Sequence, residues 1–200
     1  FGTIDQEEID VSSTKMDNLW YQYIYDDHNR LVEKKLPDKG WEYIVYNRLD
    51  QPVMTQDALL REKSPDQWLF TKYDDFGRVA YSGIYESNND RVTLQIILGG
   101  TTIVYEERSQ TGISVGGKTI YYTNGSFPTT SILETLTVNY YDSYVDADGL
   151  SVPGTVYGVT PTTNLKGLPT VSKTKVLEKN QWITAITGYD NKGRAIYAAT

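Results

Sequence analysis

The sequence predicts an all-β protein: a curved, mostly antiparallel sheet of consecutive hairpins. The first observation behind that expectation is composition. The 200 residues hold 17 tyrosines against 4 phenylalanines and 2 methionines. Tyrosine suits strands whose faces are half wet, because the ring packs while the hydroxyl finds water or a partner. The second is alternation. In residues 20–25, Tyr21, Tyr23 and Tyr25 fall on one side of an extended chain and Trp20, Gln22 and Ile24 on the other. The third is a repeat. Tyr-Asp-x-x-Gly-Arg occurs at Tyr73, Asp74, Gly77 and Arg78, and again at Tyr189, Asp190, Gly193 and Arg194. A further copy, with Tyr25, Asp26, Asn29 and Arg30, lacks only the glycine. Each copy lies between two strand-like stretches, so the repeated unit is strand–turn–strand.

The repeat has a physical reading. A four-residue type I turn followed by a bulge needs positive φ at its last position. Glycine adopts it freely, and asparagine and aspartate tolerate it better than other residues. Gly77, Gly193 and Asn29 therefore occupy one slot, and Asp50 fills it in a decayed fourth copy over residues 47–51. Asp74 and Asp190 stand first in the turn, where a carboxylate accepts backbone N–H groups. Arg78 and Arg194 restart the strand beside that carboxylate. Each is expected to bridge around its own turn and to contribute about 0–1 kcal/mol.

In chain order, residues 1–17 are acidic at first and read as a loosely held arm. Residues 18–84 read as repeat hairpins: strands at 20–25, 31–35, 41–46, 52–55 and 68–73, a reversal at Pro37–Gly40, and a polar loop at 62–67. Residues 85–169 read as an insertion with strands and long loops. In it, Asn88-Asn89-Asp90 caps a short helix over 91–98 that Gly99-Gly100 stops; a buried strand is the competing reading. Strands follow at 102–106, 118–123 and 135–141, with Asn124-Gly125 as a hairpin signal. Residues 146–168, rich in Gly, Pro and Thr, read as loops. Residues 170–200 close the chain with strands at 171–177, 182–189 and 194–197.

The same residues narrow the chemistry. There is no cysteine, which removes disulfides, thiol catalysis and thiolate zinc; the single histidine, His28, removes multi-histidine metal sites. A formal charge of −7 argues against a nucleic-acid binder. No apolar run approaches the ~18 residues that span a bilayer. Residues 1–5 show neither a basic region nor an apolar core, so no secretory signal is read there; the chain reads as a mature or excised piece of something longer. Asp142, Asp146, Asp148 and Gly149 come near a calcium loop, but Tyr144 stands where an acid is needed, and a plain turn is preferred. Asn124-Gly125-Ser126 fits a glycosylation acceptor but is first a turn. The adjacent acids Asp26-Asp27 and Asp74-Asp75 are turn residues; adjacency does not make a catalytic pair. No catalytic, cofactor or metal residues emerge. The tryptophans Trp20, Trp41, Trp68 and Trp182 begin strands and are expected to pack.

The motifs at residues 73–78, 189–194 and 25–30 resemble those of the YD-repeat, or Rhs, family. The surrounding stretches, 37–43 and 68–74, resemble the large Rhs-like proteins of Bacteroidetes. The resemblance covers residues 18–84 and 170–198. It implies a long β-sheet spiralling into a hollow shell that encloses an effector in toxin relatives. This chain would be an arc of such a shell. The expected role is a non-catalytic structural segment of a large secreted or cell-surface bacterial protein. Its expected partner is the remainder of its own parent chain, or an enclosed effector. The alternative is an adhesin-like module that binds a glycan with exposed Tyr and Trp rings. Unpaired edges of such a sheet favour strand addition.

Overall fold

A computed structural model describes residues 19–200; the expected arm at 1–17 lies outside the described residues. The chain forms a ten-stranded antiparallel sheet that curves without closing into a barrel. Its strands are β1 (Gln22–Tyr25), β2 (Leu31–Lys35), β3 (Glu42–Tyr46), β4 (Pro52–Gln56), β5 (Gln67–Tyr73), β6 (Val79–Glu86), β9 (Ile132–Tyr141), β10 (Pro169–Val176), β11 (Gln181–Tyr189) and β12 (Ala195–Ala199), paired in that order. A separate hairpin, β7 (Arg108–Val115) with β8 (Lys118–Tyr122), comes between β6 and β9 in sequence.

The expected hairpins 25–30, 47–51, 73–78 and 189–194 all form, and all lie along one end of the sheet. Each shows a bulge just before the turn, at Ile24/Tyr25, Val45/Tyr46, Lys72/Tyr73 and Gly188/Tyr189. The predicted positive φ is present at Asn29 (58°), Asp50 (57°), Gly77 (76°) and Gly193 (74°).

Strands β5 and β6 show why the sheet has an inside. In β5, Trp68, Phe70 and Lys72 are buried in strict alternation. Together with Tyr81, Tyr85, Val138, Tyr140, Val171 and Ile186 the apolar members of that face form one core. The two insertions cover it. One supplies helix α2 (Arg91–Gly100) through Leu94 and Leu98, and the β7–β8 hairpin through Val115, Ile120 and Tyr122. The other, between β9 and β10, adds Tyr144, Ala147, Leu150 and Val152. β9, from the stretch read as an insertion, is a central strand that links the two groups of hairpins.

Helix α2 confirms the helical reading of residues 91–98 over the buried strand. Asp90 caps it by accepting the Thr93 N–H at 2.8 Å. Its seat is fixed by Gln95, whose amide accepts the Tyr46 N–H at 3.0 Å and donates to the Tyr46 carbonyl at 2.8 Å. Gly99 and Gly100 finish the helix rather than stopping it; the end comes at Thr101, whose N–H bonds to the Leu98 carbonyl. A one-turn helix, α1 (Ala58–Arg61), also lies just ahead of the predicted polar loop, capped by Asp57.

Two expectations in the insertion are overturned. Residues 102–106 do not form a strand: only Glu106 bridges, to Asp74, because the segment crosses the sheet rather than pairing along it. Asn124-Gly125 is not a hairpin turn. That role belongs to Gly116 (φ 49°) and Gly117 (φ 76°), whose paired positive φ values suit a two-residue turn between β7 and β8. The Gly125 N–H is instead drawn to the Glu106 carboxylate at 2.9 Å.

Gly193 tests the turn directly. A Cβ there would meet only Leu168 Cδ2, at 3.7 Å, so the cost of a side chain is that of the backbone conformation alone. Gly193→Val is expected to lose about 1–2 kcal/mol in denaturant titration and Gly193→Asn clearly less, since asparagine holds the same slot at position 29. Equal losses would contradict the turn assignment.

Candidate functional site

The four turns are built from the same five hydrogen bonds. In the turn at 74–78, the Asp74 N–H donates to the Arg78 carbonyl (2.9 Å) and the Gly77 N–H to the Asp74 carbonyl (3.0 Å). Asp74 Oδ1 accepts the N–H groups of Phe76 (3.0 Å) and Arg78 (2.8 Å), and Oδ2 accepts Arg78 Nε at 2.7 Å. Asp26 with Arg30, and Asp190 with Arg194, repeat the set. The decayed copy repeats it without charge. Asn47 Oδ1 takes the N–H groups of Leu49 and Gln51, and Asn47 Nδ2 donates to Gln51 Oε1 at 2.8 Å. The backbone and guanidinium bonds from Arg194 hold the Asp190 carboxyl below the usual range. At Asp26 burial pushes upward, but the bonds from Arg30 and His28 outweigh it and the carboxyl is again lowered.

A fifth turn is split. Tyr141-Asp142 lacks a following Gly-Arg in sequence, yet Gly167 and Leu168 arrive from the far side of the second insertion. The Asp142 N–H donates to the Leu168 carbonyl at 3.1 Å, and Asp142 Oδ1 accepts the Gly167 N–H at 2.5 Å. These are equivalents of the Asp74–Arg78 bonds, with residues 143–166 looped out between them.

Neighbouring turns touch each other through their tyrosines. Tyr46, Tyr73, Tyr141 and Tyr189 each donate the hydroxyl to the first carbonyl after the preceding turn: Leu31 (2.8 Å), Pro52 (2.8 Å), Val79 (3.1 Å) and Pro169 (2.5 Å). The arginine of the preceding turn lies over the next ring, Arg30 over Tyr46 at 4.9 Å and Arg78 over Tyr141 at 4.2 Å. It also reaches an acid of that turn, Arg30 to Asp50 at 2.8 Å and Arg78 to Asp142 at 2.9 Å. Arg78 thus binds two turns, beyond the single-turn role expected for it, and its side chain is only 22 % exposed. Arg194 binds its own turn alone and is 71 % exposed.

The insertions are held by two lysines that the sequence reading passed over. Lys72, fully buried, donates to Glu106 Oε1 (3.0 Å), the Asn124 side chain (2.5 Å) and the Ser126 carbonyl (2.8 Å). Glu106 is in turn saturated by Thr123, Gly125 and Ser126. Asn124, the glycosylation candidate, is committed to this cluster. Lys173, also fully buried, binds Asp146 at 2.7 Å and Asp148 at 2.8 Å, and the Thr184 hydroxyl bonds Asp148 as well. The acids of the near-calcium loop therefore face an ammonium group. The overlooked signal is parity: Lys72 shares the buried side of its strand with Trp68 and Phe70, a place for a lysine only if an acid meets it.

Other sequence candidates disperse. His28 is exposed at the tip of its turn, and Trp68 is buried in the core while Trp20 is 39 % exposed. Among the described residues no group of three His, Cys, Asp or Glu side chains stands close enough to hold a metal ion, and no helix is long and apolar enough to cross a membrane. No protein-family model matches the chain, and no curated protein matches it.

Burial pushes the Lys72 ammonium down, to about 8, against the opposing pull of Glu106. Lysine in an unfolded chain titrates near 10.4. Between about pH 8 and 10 the unfolded chain therefore carries a proton that the folded chain has released, and stability rises with pH. The expected gain is on the order of 2 kcal/mol. Above pH 10 the trend reverses, because burial raises Tyr81, Tyr122 and Tyr140 and keeps them protonated only in the folded state. Chemical denaturation across this range should show the rise in the native chain and its absence in Lys72→Met/Glu106→Gln. A native profile that is flat from pH 8 to 10 would contradict it.

Proposed function

We propose that this chain is a non-catalytic structural segment of a large YD-repeat protein of the Rhs type, secreted by or displayed on a bacterium, and that it contributes an arc to a β-sheet shell or scaffold. The observation that carries this reading is the repetition of one contact: four tyrosine hydroxyls bonded to the same carbonyl position of the preceding turn. A motif that spends its tyrosine, acid and arginine on the adjacent motif serves to build a sheet. The turn carboxylates support the same conclusion, since Asp26, Asp74 and Asp190 are each occupied by two backbone N–H groups and a guanidinium. The remainder of the parent chain is the natural partner, and the covered face of the arc would lie toward or away from an enclosed effector.

One observation favours a second reading, an adhesin-like carbohydrate-binding module. Trp20, Tyr21, Tyr23 and Tyr25 are 39 %, 65 %, 48 % and 58 % exposed around β1. Rings grouped in this way stack on sugars. A glycan array followed by titration calorimetry separates the two. The scaffold reading expects no saturable sugar binding. Binding that is lost in Tyr23→Ala with the fold intact would replace it with the adhesin reading.

A further inference from the structure

We propose that the outer edge of β12 takes the β1 edge of a second copy of this chain, so that copies join head to tail into one continuous sheet. The proposal rests on the same ladder as the scaffold reading and extends it to a partner and a register.

Four junctions inside the sheet join the outgoing strand of one turn to the incoming strand of the next: β2–β3, β4–β5, β6–β9 and β10–β11. All four share a register. Glu33 faces Tyr43, Met54 faces Phe70, Tyr81 faces Val138 and Val171 faces Ile186. In each, the residue two beyond the first post-turn position faces the residue three before the next motif tyrosine. The adjoining pairs Lys34–Glu42, Thr55–Leu69, Ser82–Thr137 and Ser172–Ala185 keep the same offset. A sheet that repeats one junction four times has an edge prepared for a fifth.

The two outer edges hold complementary halves of that junction. At β12, Ala195 is the first post-turn residue and is exposed; Arg194 beside it pairs only with Asp190 and has no ring beneath it. At β1, Tyr25 is the one motif tyrosine with no preceding turn among the described residues, and its hydroxyl makes no hydrogen bond there. Placed against β12 in the common register, Tyr25 of a second copy would donate to the Ala195 carbonyl and lie under Arg194. Asp27, exposed in the same turn, would meet the free side of the guanidinium. The directions agree: β12 leaves its turn and β1 approaches its own, antiparallel as in every existing junction. Because the two edges differ, the contact is heterologous and grows as an open chain of copies rather than closing as a dimer. Among the described residues no strand pairs with either outer edge, the condition under which sheet edges recruit another strand.

The absence of cysteine gives a clean test. Extending the common register places Ala198 opposite Tyr21 of the second copy, and both are exposed. One protein carrying Ala198→Cys and another carrying Tyr21→Cys are mixed and oxidised gently. The mixed disulfide is expected to exceed either homodisulfide by at least about tenfold, because only the heterologous edge brings opposite Cβ atoms to about 5 Å. Sedimentation equilibrium of the unsubstituted chain should show average mass rising with concentration without levelling at a dimer. Tyr25→Phe, which removes only the hydroxyl, should shift that rise to about fivefold higher concentration. A strict monomer at millimolar concentration, homodisulfides that match or exceed the mixed product, or a plateau at the dimer would overturn the proposal. Each of these would leave the internal ladder, and the scaffold reading built on it, untouched.

Discussion

The structure depends on how one turn holds the next. A hydrogen-bonded ladder between strands does not by itself choose a register, and a slip of one residue would turn every side chain to the opposite face. Here the choice is made at the turn end of the sheet. The bulged turn fixes where each motif tyrosine stands, and its hydroxyl reaches a single carbonyl of the preceding turn. The arginine over the ring adds a charged clamp at the 30–46 and 78–141 pairs. Pro52 and Pro169 both stand at the accepting position, which uses the carbonyl and not the N–H that proline lacks. Turn chemistry is thereby converted into register.

Register in turn decides what the insertions can bind. With the strands aligned in this way Lys72 and Lys173 face the covered side, and each meets carboxylates from a different insertion. Burying an ammonium is costly unless it is paired and hydrogen-bonded, and replacing such a pair with apolar residues is often no loss to stability. Their effect in this fold is positional. Glu106 can seat at one point only, where Lys72 and the N–H groups of Gly125 and Ser126 converge. The segment after α2 is anchored there, as Asp146 and Asp148 anchor the loop that splits the fifth turn. The sheet therefore accepts long excursions between motif halves without losing the motif.

Much of this was legible because it is local. Tyr-Asp-x-x-Gly-Arg names its own turn: the acid that binds N–H groups, the residue that takes positive φ, the arginine that returns to the acid. Even the neutral copy at Asn47 and Gln51 could be placed, since Asp50 stands in the left-handed slot. The contacts that join turns were not legible. Whether Tyr73 reaches Pro52 depends on strand order, which a repeat suggests but does not state. The fifth turn was hidden more deeply, because Asp142 and Gly167 become neighbours only after β9 and β10 pair. Residues 102–106 and Asn124-Gly125 misled for a related reason: their propensities are those of a strand and a hairpin, but the Glu106 carboxylate organises both segments around Lys72. A lysine on the apolar parity of β5 was the one sequence trace of that cluster.

The central claim is that adjacent turns are coupled through ring and guanidinium, and a double-mutant cycle on Arg78 and Tyr141 tests it most directly. The guanidinium lies 4.2 Å from the ring centroid, with Asp142 beside it. Arg78→Ala, Tyr141→Leu and the double variant are compared by equilibrium denaturation, with Arg194→Ala and Tyr141→Leu as the distant control pair. The account predicts a coupling of about 0.5–1.5 kcal/mol for Arg78 with Tyr141 and additivity within about 0.3 kcal/mol for the control. Additive losses in both cycles would mean that each turn stands alone, and would contradict it.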